Sequence, residues 1–120
     1  MTRKILVVDD EEQVRSVIKR ILEEFGYEVE LADDGVEGLQ KALADNTIDL
    51  VLTDVVMPNM GGFDMVTQLL EQRPSIEVIF MSAYTGDAQL GEQVSAGRAR
   101  FLAKPFKPSE LARKVEIALL

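Results

Sequence analysis

The sequence predicts an α/β protein in which a parallel β-sheet is covered by α-helices on both faces. Two observations carry this expectation. Apolar runs of strand length alternate five times with segments whose apolar residues recur every three or four positions. The runs Ile5-Leu6-Val7-Val8, Leu50-Val51-Leu52 and Val78-Ile79-Phe80-Met81 are also unbroken, as strands buried on both faces are.

The elements follow in order. After Ile5-Leu6-Val7-Val8 comes Asp9-Asp10-Glu11-Glu12, and acids favour a first helical turn through the helix dipole. Val14, Val17, Ile18, Ile21, Leu22 and Phe25 form the clearest amphipathic stripe, with Gly26 as its C-terminal cap. Tyr27-Glu28-Val29-Glu30-Leu31-Ala32 alternates, as a more exposed strand should. Asp33-Asp34-Gly35 supplies a turn and an N-cap for a second helix carrying Val36, Leu39 and Leu43, closed by Asn46 or Thr47. Residues 48–53 form the third strand, ending in Asp54, and Pro58-Asn59-Met60-Gly61-Gly62 is a loop. Phe63, Val66, Leu69 and Leu70 mark a third helix, stopped at Arg73-Pro74. The fourth strand ends at Ser82. Ala88, Leu90 and Val94, with Gly91 among them, make only a weak helix. Arg100-Phe101-Leu102-Ala103 is a fifth strand, and Pro108 opens a last helix with Leu111, Val115, Ala118 and Leu119 on its stripe. No linker, repeat or low-complexity tract interrupts residues 1–120, so one domain is expected. The alternation leaves the strand order open.

Composition narrows the chemistry. With 120 residues and 47% hydrophobic content, the chain can bury one core. It contains neither cysteine nor histidine, which removes disulfides, thiolate chemistry and the commonest general base and metal ligand. Chemistry is left to carboxylates, hydroxyls, lysines and the backbone. A net charge of −8 with no basic run argues against direct nucleic-acid binding. No apolar run is long enough to span a bilayer, and the N-terminus lacks a signal-peptide core, so a cytoplasmic location is expected.

What ends each strand is informative. The first ends in Asp9 and Asp10, the third in Asp54, the fourth in Ser82 and the fifth in Lys104. In a parallel sheet these share one edge, outside which ligands of open α/β sheets bind. Three carboxylates brought together repel, and Lys104 offsets one charge. A hard divalent cation would offset the rest, and an all-oxygen site suits Mg²⁺. Lys104 and Ser82 are suited to a phosphoryl oxygen, and Asp54 can act as the nucleophile that forms an aspartyl phosphate.

Val7-Val8-Asp9-Asp10-Glu11, Asp54 with Met57-Pro58, Gly62, Met81-Ser82-Ala83 and Lys104-Pro105-Phe106 together resemble the receiver domain of two-component response regulators. Five motifs in the right order, on four strand ends and one loop, span essentially the whole chain. The resemblance implies a three-layer, flavodoxin-like, doubly wound fold with strand order 2-1-3-4-5 and five helices. It implies Asp54 as phosphoacceptor and Asp10 as a Mg²⁺ ligand. By the same resemblance Asp9 would help directly or through water, and the Val56 carbonyl would be the backbone ligand. Ser82 and Phe101 are implied as switch residues, Lys104 as the phosphate-binding lysine, and the Lys104-Pro105 bond as cis. The donor would be a phosphohistidine on a histidine kinase or histidine phosphotransfer domain, since this chain has no histidine. Output would use the face of the fourth helix, fifth strand and last helix. The start of the first helix and Pro105-Phe106 resemble the kinase-docking surface.

Plainer readings compete. Asp9 and Asp10 could cap a helix, Ser82 satisfy local backbone, Phe101 fill the core, and Glu11 and Glu12 face water. Val56 and Tyr84, each two residues past a site residue, would slow loss of the phosphoryl group. Gly97-Arg98-Ala99-Arg100 is unusual for the family and is either a partner-facing patch or a solvated turn. The runner-up function is a Mg²⁺-dependent phosphohydrolase with an aspartyl-phosphate intermediate, which would want an acid where Val56 stands. A flavodoxin-like nucleotide binder would need a phosphate-cradling loop where four acids lie. The chain is read as a signalling domain, not an enzyme. Whether it stands alone or is the C-terminal receiver of a hybrid sensor kinase stays open, as does a homodimer formed on phosphorylation.

Overall fold

The computed structural model describes residues 2–83 and 100–120. Five strands, β1 (Lys4–Val8), β2 (Glu28–Ala32), β3 (Ile48–Asp54), β4 (Glu77–Ser82) and β5 (Arg100–Ala103), form one sheet in the order β2-β1-β3-β4-β5. Every pairing is parallel. This is the doubly wound order that the resemblance implied. Among the described residues there are four helices: α1 (Glu12–Glu24), α2 (Gly35–Ala44), α3 (Gly62–Gln72) and α4 (Pro108–Ala118). The weak helix expected around Ala88, Leu90, Gly91 and Val94 lies outside the described residues, as do Tyr84 and Gly97-Arg98-Ala99.

The unbroken strand runs are explained by two cores, one on each face of the sheet. Ile5 and Val7 of β1 join Leu50 and Leu52 of β3 against Ile18 and Leu22 of α1 and Leu111, Val115 and Ala118 of α4. Leu6 and Val8 point the other way, joining Val51 with Ala42 of α2 and Met65, Val66 and Leu69 of α3. A strand side chain alternates between faces, so a strand with helices on both sides must be apolar at every position. β2, at the sheet edge, is only partly covered and keeps its alternation.

The helix ends follow local chemistry. Gly26 sits at φ 92, where a left-handed residue lets Gly26 N–H reach Glu23 O at 3.0 Å and Tyr27 N–H reach Leu22 O at 3.1 Å. This is the paired closure of a Schellman cap. Asp34 caps α2 by accepting the Glu37 N–H at 2.9 Å. α2 ends at Ala44, earlier than the expected Asn46 or Thr47, because Asp45 turns out of the helix and its carboxylate takes the Thr47 N–H at 2.9 Å. Gly62 opens α3, and a Cβ there would collide with the carbonyl oxygen of Asp54.

One arginine ties the lower edge of the sheet. The Arg73 guanidinium donates to the carbonyls of Ala42 (3.2 Å), Asp45 (3.4 Å), Asn46 (3.2 Å) and Ile48 (2.8 Å). It therefore joins the end of α3 to the end of α2 and the start of β3. Arg73→Met keeps most of the aliphatic stem but strips these carbonyls of a charged donor. The substitution is expected to lower the urea midpoint at unchanged slope, by about 2 kcal/mol in unfolding free energy. Arg73→Lys should restore only part of it, since an ammonium cannot span the fork.

Candidate functional site

Parallel pairing puts every strand's carboxyl end on one edge, and the residues that end β1, β3 and β5 meet there. Asp9, Asp10 and Asp54 each offer a carboxylate oxygen, and these oxygens lie within 4.8 Å of one another. Lys104 bridges two of the acids, its Nζ standing 2.9 Å from Asp9 Oδ2 and 3.6 Å from Asp54 Oδ2. Asp9 is fully buried, Asp54 partly, and Asp10 is exposed.

Asp9 and Asp54 are each held by their own stretch of chain. Asp9 Oδ1 accepts the Glu11 N–H at 2.9 Å, so this carboxylate braces the entry to α1 as well as facing Lys104. Arg15 Nη1 donates to the Asp9 carbonyl at 2.6 Å. Asp54 Oδ1 accepts the Val55 N–H at 2.9 Å, while the buried Thr53 hydroxyl donates to the Asp54 carbonyl at 2.9 Å. Gly62 N–H donates to the Val55 carbonyl at 2.8 Å, closing the base of the loop that follows Asp54.

The electrostatics are unbalanced. Burial raises the pKa of Asp54 above the usual carboxylate value; Lys104 and the Val55 N–H pull it down, and Asp9 and Asp10 push it up again. Lys104 is depressed by burial, but its hydrogen bond with Asp9 and the charges of Asp54 and Asp9 outweigh that and leave its pKa raised. Three carboxylates thus share one firmly protonated ammonium. The donor set is all oxygen, which fits a hard divalent cation, and the cluster could hold one.

The remaining expected residues occupy the following positions. Ser82 ends β4 and is buried, and its carbonyl accepts the Lys104 N–H at 2.9 Å. Val56 follows in the loop with its side chain 79% exposed. Phe101 lies beside Phe80 in the β4–β5 register and is partly buried against the core on the α2–α3 face. The Lys104–Pro105 peptide bond is cis. Pro105 and Phe106 line an apolar groove together with Val14, Val17 and Ile18 of α1. Arg15 and Thr53 went unnoticed in the sequence: an arginine on a helix or a threonine in a strand has too many ordinary uses to stand out.

The chain belongs to the response regulator receiver domain family, whose pattern matches residues 5–116. It is 34% identical over 119 residues to the alkaline phosphatase synthesis transcriptional regulatory protein PhoP of Bacillus subtilis, covering 99% of this chain and 49% of that one. The chain spans about half the length of this and similar curated relatives. Among solved structures it is similar to chemotaxis protein CheY4 of Vibrio cholerae, with a TM-score of 0.91, 32% identity and coverage of 99% of this chain and 100% of that one. It is also similar to response regulator TrrA of Thermotoga maritima in complex with Mg(2+)-BeF, with a TM-score of 0.86, 33% identity and coverage of 98% and 100%. The domain is therefore a receiver of two-component phosphorelay signalling.

The crowding of acids sets an expectation. Asp54→Asn removes one of three clustered charges with almost no change of shape, and should raise Tm in EDTA by about 4 °C, equivalent to about 1 kcal/mol. The ionised Asp54 costs stability in full above its raised folded pKa, and that cost is lost as pH falls from there to the unfolded carboxylate value. The gap between wild type and Asp54→Asn should therefore close on acidification, which thermal melts across the acidic range would read.

Proposed function

We propose that this receiver takes a phosphoryl group onto Asp54 from a phosphohistidine in a Mg²⁺-dependent reaction, and that the observation carrying this reading is the cluster of Asp9, Asp10 and Asp54 bridged by Lys104. Asp10, Asp54 and the Val56 carbonyl hold the Mg²⁺, with Asp9 acting directly or through water. The TrrA complex with Mg(2+)-BeF, at 33% identity, supports that choice of ion. When bound, the cation supplies positive charge against the phosphoryl oxygens. This chain's residues do the rest by position and charge. An Asp54 carboxylate oxygen forms the new O–P bond as the donor's N–P bond breaks, and the donor's imidazole keeps the electron pair and takes up a proton. Lys104 holds a phosphoryl oxygen with its ammonium. The Ser82 hydroxyl donates to another, and Phe101 follows inward.

The donor lies on a histidine kinase or phosphotransfer domain, in another protein or elsewhere in the same polypeptide. It docks on the groove of Val14, Val17, Pro105 and Phe106 beside Lys104. The product carries roughly 1.5–2 negative charges where the Asp54 carboxylate carried one, and it places that charge further out at a site already rich in acid, a change large enough to shift the elements above it. Among the described residues no helix is long and apolar enough to cross a membrane. A phosphohydrolase is not favoured, because the exposed apolar Val56 stands where a second acid would serve it.

Incubation with a small acyl phosphate and Mg²⁺ should add one base-labile phosphoryl group per chain, read by intact mass. EDTA should abolish it, and Asp54→Asn should lack it. An adduct that persists in Asp54→Asn overturns the assignment. Lys104→Met should slow adduct formation by roughly a hundredfold while leaving the fold intact.

A further inference from the structure

The loop from Asp54 to Gly62 contains the one residue other than glycine, among those described, at positive φ. Asn59 lies at φ 68, and the Met60 N–H reaches back to the Pro58 carbonyl at 2.7 Å. A tight three-residue turn with its centre at positive φ is rare and strained, and it persists only where its surroundings hold it. Two contacts to the start of α2 do so. Asn59 Nδ2 donates to Asp34 Oδ2 at 2.7 Å, and Gly35 N–H donates to the Met60 carbonyl at 3.0 Å. The approach is close enough that a Cβ on Gly35 would run into Met60. Asp34 is itself fixed, because its other oxygen caps α2 on the Glu37 N–H at 2.9 Å. One carboxylate thus ties the middle of the loop to a helix that packs on the core, while Gly62 N–H ties the loop's base to Val55 O.

A loop with only its ends secured would be free to move its intervening carbonyls. We propose that Asp34 and Asn59 are positioning residues for the acidic site: their hydrogen bond holds the strained turn at Asn59 and so presents the Asp54–Val56 segment to Mg²⁺. The inference rests on the reading of Asp54 and Val56 given above. Neither Asp34 nor Asn59 touches the metal or the phosphoryl group; both act through the loop, as outer-shell partners orient metal ligands elsewhere.

The test uses Mg²⁺ alone as probe, titrated into labelled protein and followed by chemical shift. Asn59→Gly keeps the left-handed backbone, which glycine adopts freely, and deletes the amide. It should weaken Mg²⁺ binding by roughly tenfold while its Tm in EDTA stays close to wild type. The exchange variant Asp34→Asn with Asn59→Asp preserves the pair's total charge, the α2 cap and an amide-to-carboxylate hydrogen bond in the opposite sense. It should bind Mg²⁺ within about twofold of wild type. At saturating Mg²⁺, adduct formation in Asn59→Gly should return to near the wild-type rate, placing the loss in metal affinity and not in the chemical step. Unchanged Mg²⁺ affinity in Asn59→Gly, or equal loss in the exchange variant, overturns the positioning role while leaving Asp54 as acceptor. A wild-type protein that binds no Mg²⁺ overturns the reading of the site and this inference together.

Discussion

The structure is organised around a repulsion. Asp9, Asp10 and Asp54 are brought together at one strand edge with a single ammonium among them. Burial makes the conflict worse, since Asp54 is desolvated by the same packing that holds it in place. A protein selected only for stability would replace one of these acids. The sheet instead holds two of them with hydrogen bonds from the backbone, from Glu11 N–H to Asp9 and from Val55 N–H to Asp54. Asp9 and Asp54 therefore cannot relax away from one another by side-chain rotation alone. A conflict of this kind is relieved by protonation or by positive charge from outside, and the three carboxylate oxygens lie close enough together for one cation to serve them all.

The fold was legible because a doubly wound sheet leaves a coarse signature. Strands buried on both faces read as unbroken apolar runs, and β1, β3 and β4 all do. The edge strand β2 alternates because one side of it is only partly covered. Neighbour order is different: nothing in the residues of β1 says that it pairs with both β2 and β3, and the order came from resemblance. The gathering of Asp9, Asp10, Asp54 and Lys104 was legible for a geometric reason. Once the sheet is parallel, the last residue of each strand must lie on one edge.

What the sequence concealed lies between elements. Asp34 could be read as a helix cap, but its second oxygen serves Asn59, 25 residues away, and no local pattern encodes that. Arg73, on four carbonyls of another helix end and strand start, is likewise a long side chain reaching across the fold, and Arg15 reaches back past the helix start to the Asp9 carbonyl. Periodicity registers which face a residue occupies, not how far its tip extends. Asn59 at positive φ was equally invisible, because Pro58-Asn59-Met60-Gly61-Gly62 announces a loop without announcing its shape.

The two rims of the sheet differ in kind. At the amino rim, Lys4 Nζ meets Asp45 at 2.6 Å, the Lys4 N–H donates to Asp49 at 3.0 Å, and Arg73 gathers its carbonyls. Opposite charges there are matched and donors find acceptors. At the carboxyl rim, like charges crowd together. The domain is thus built like a clamped reed: one end is fastened by complementary bonds and the other is loaded. A change of charge at the loaded rim can be absorbed by the elements there without unfastening the sheet. The footing supplied by Arg73 involves none of the clustered acids, so the amino rim stays fastened whatever charge the carboxyl rim carries.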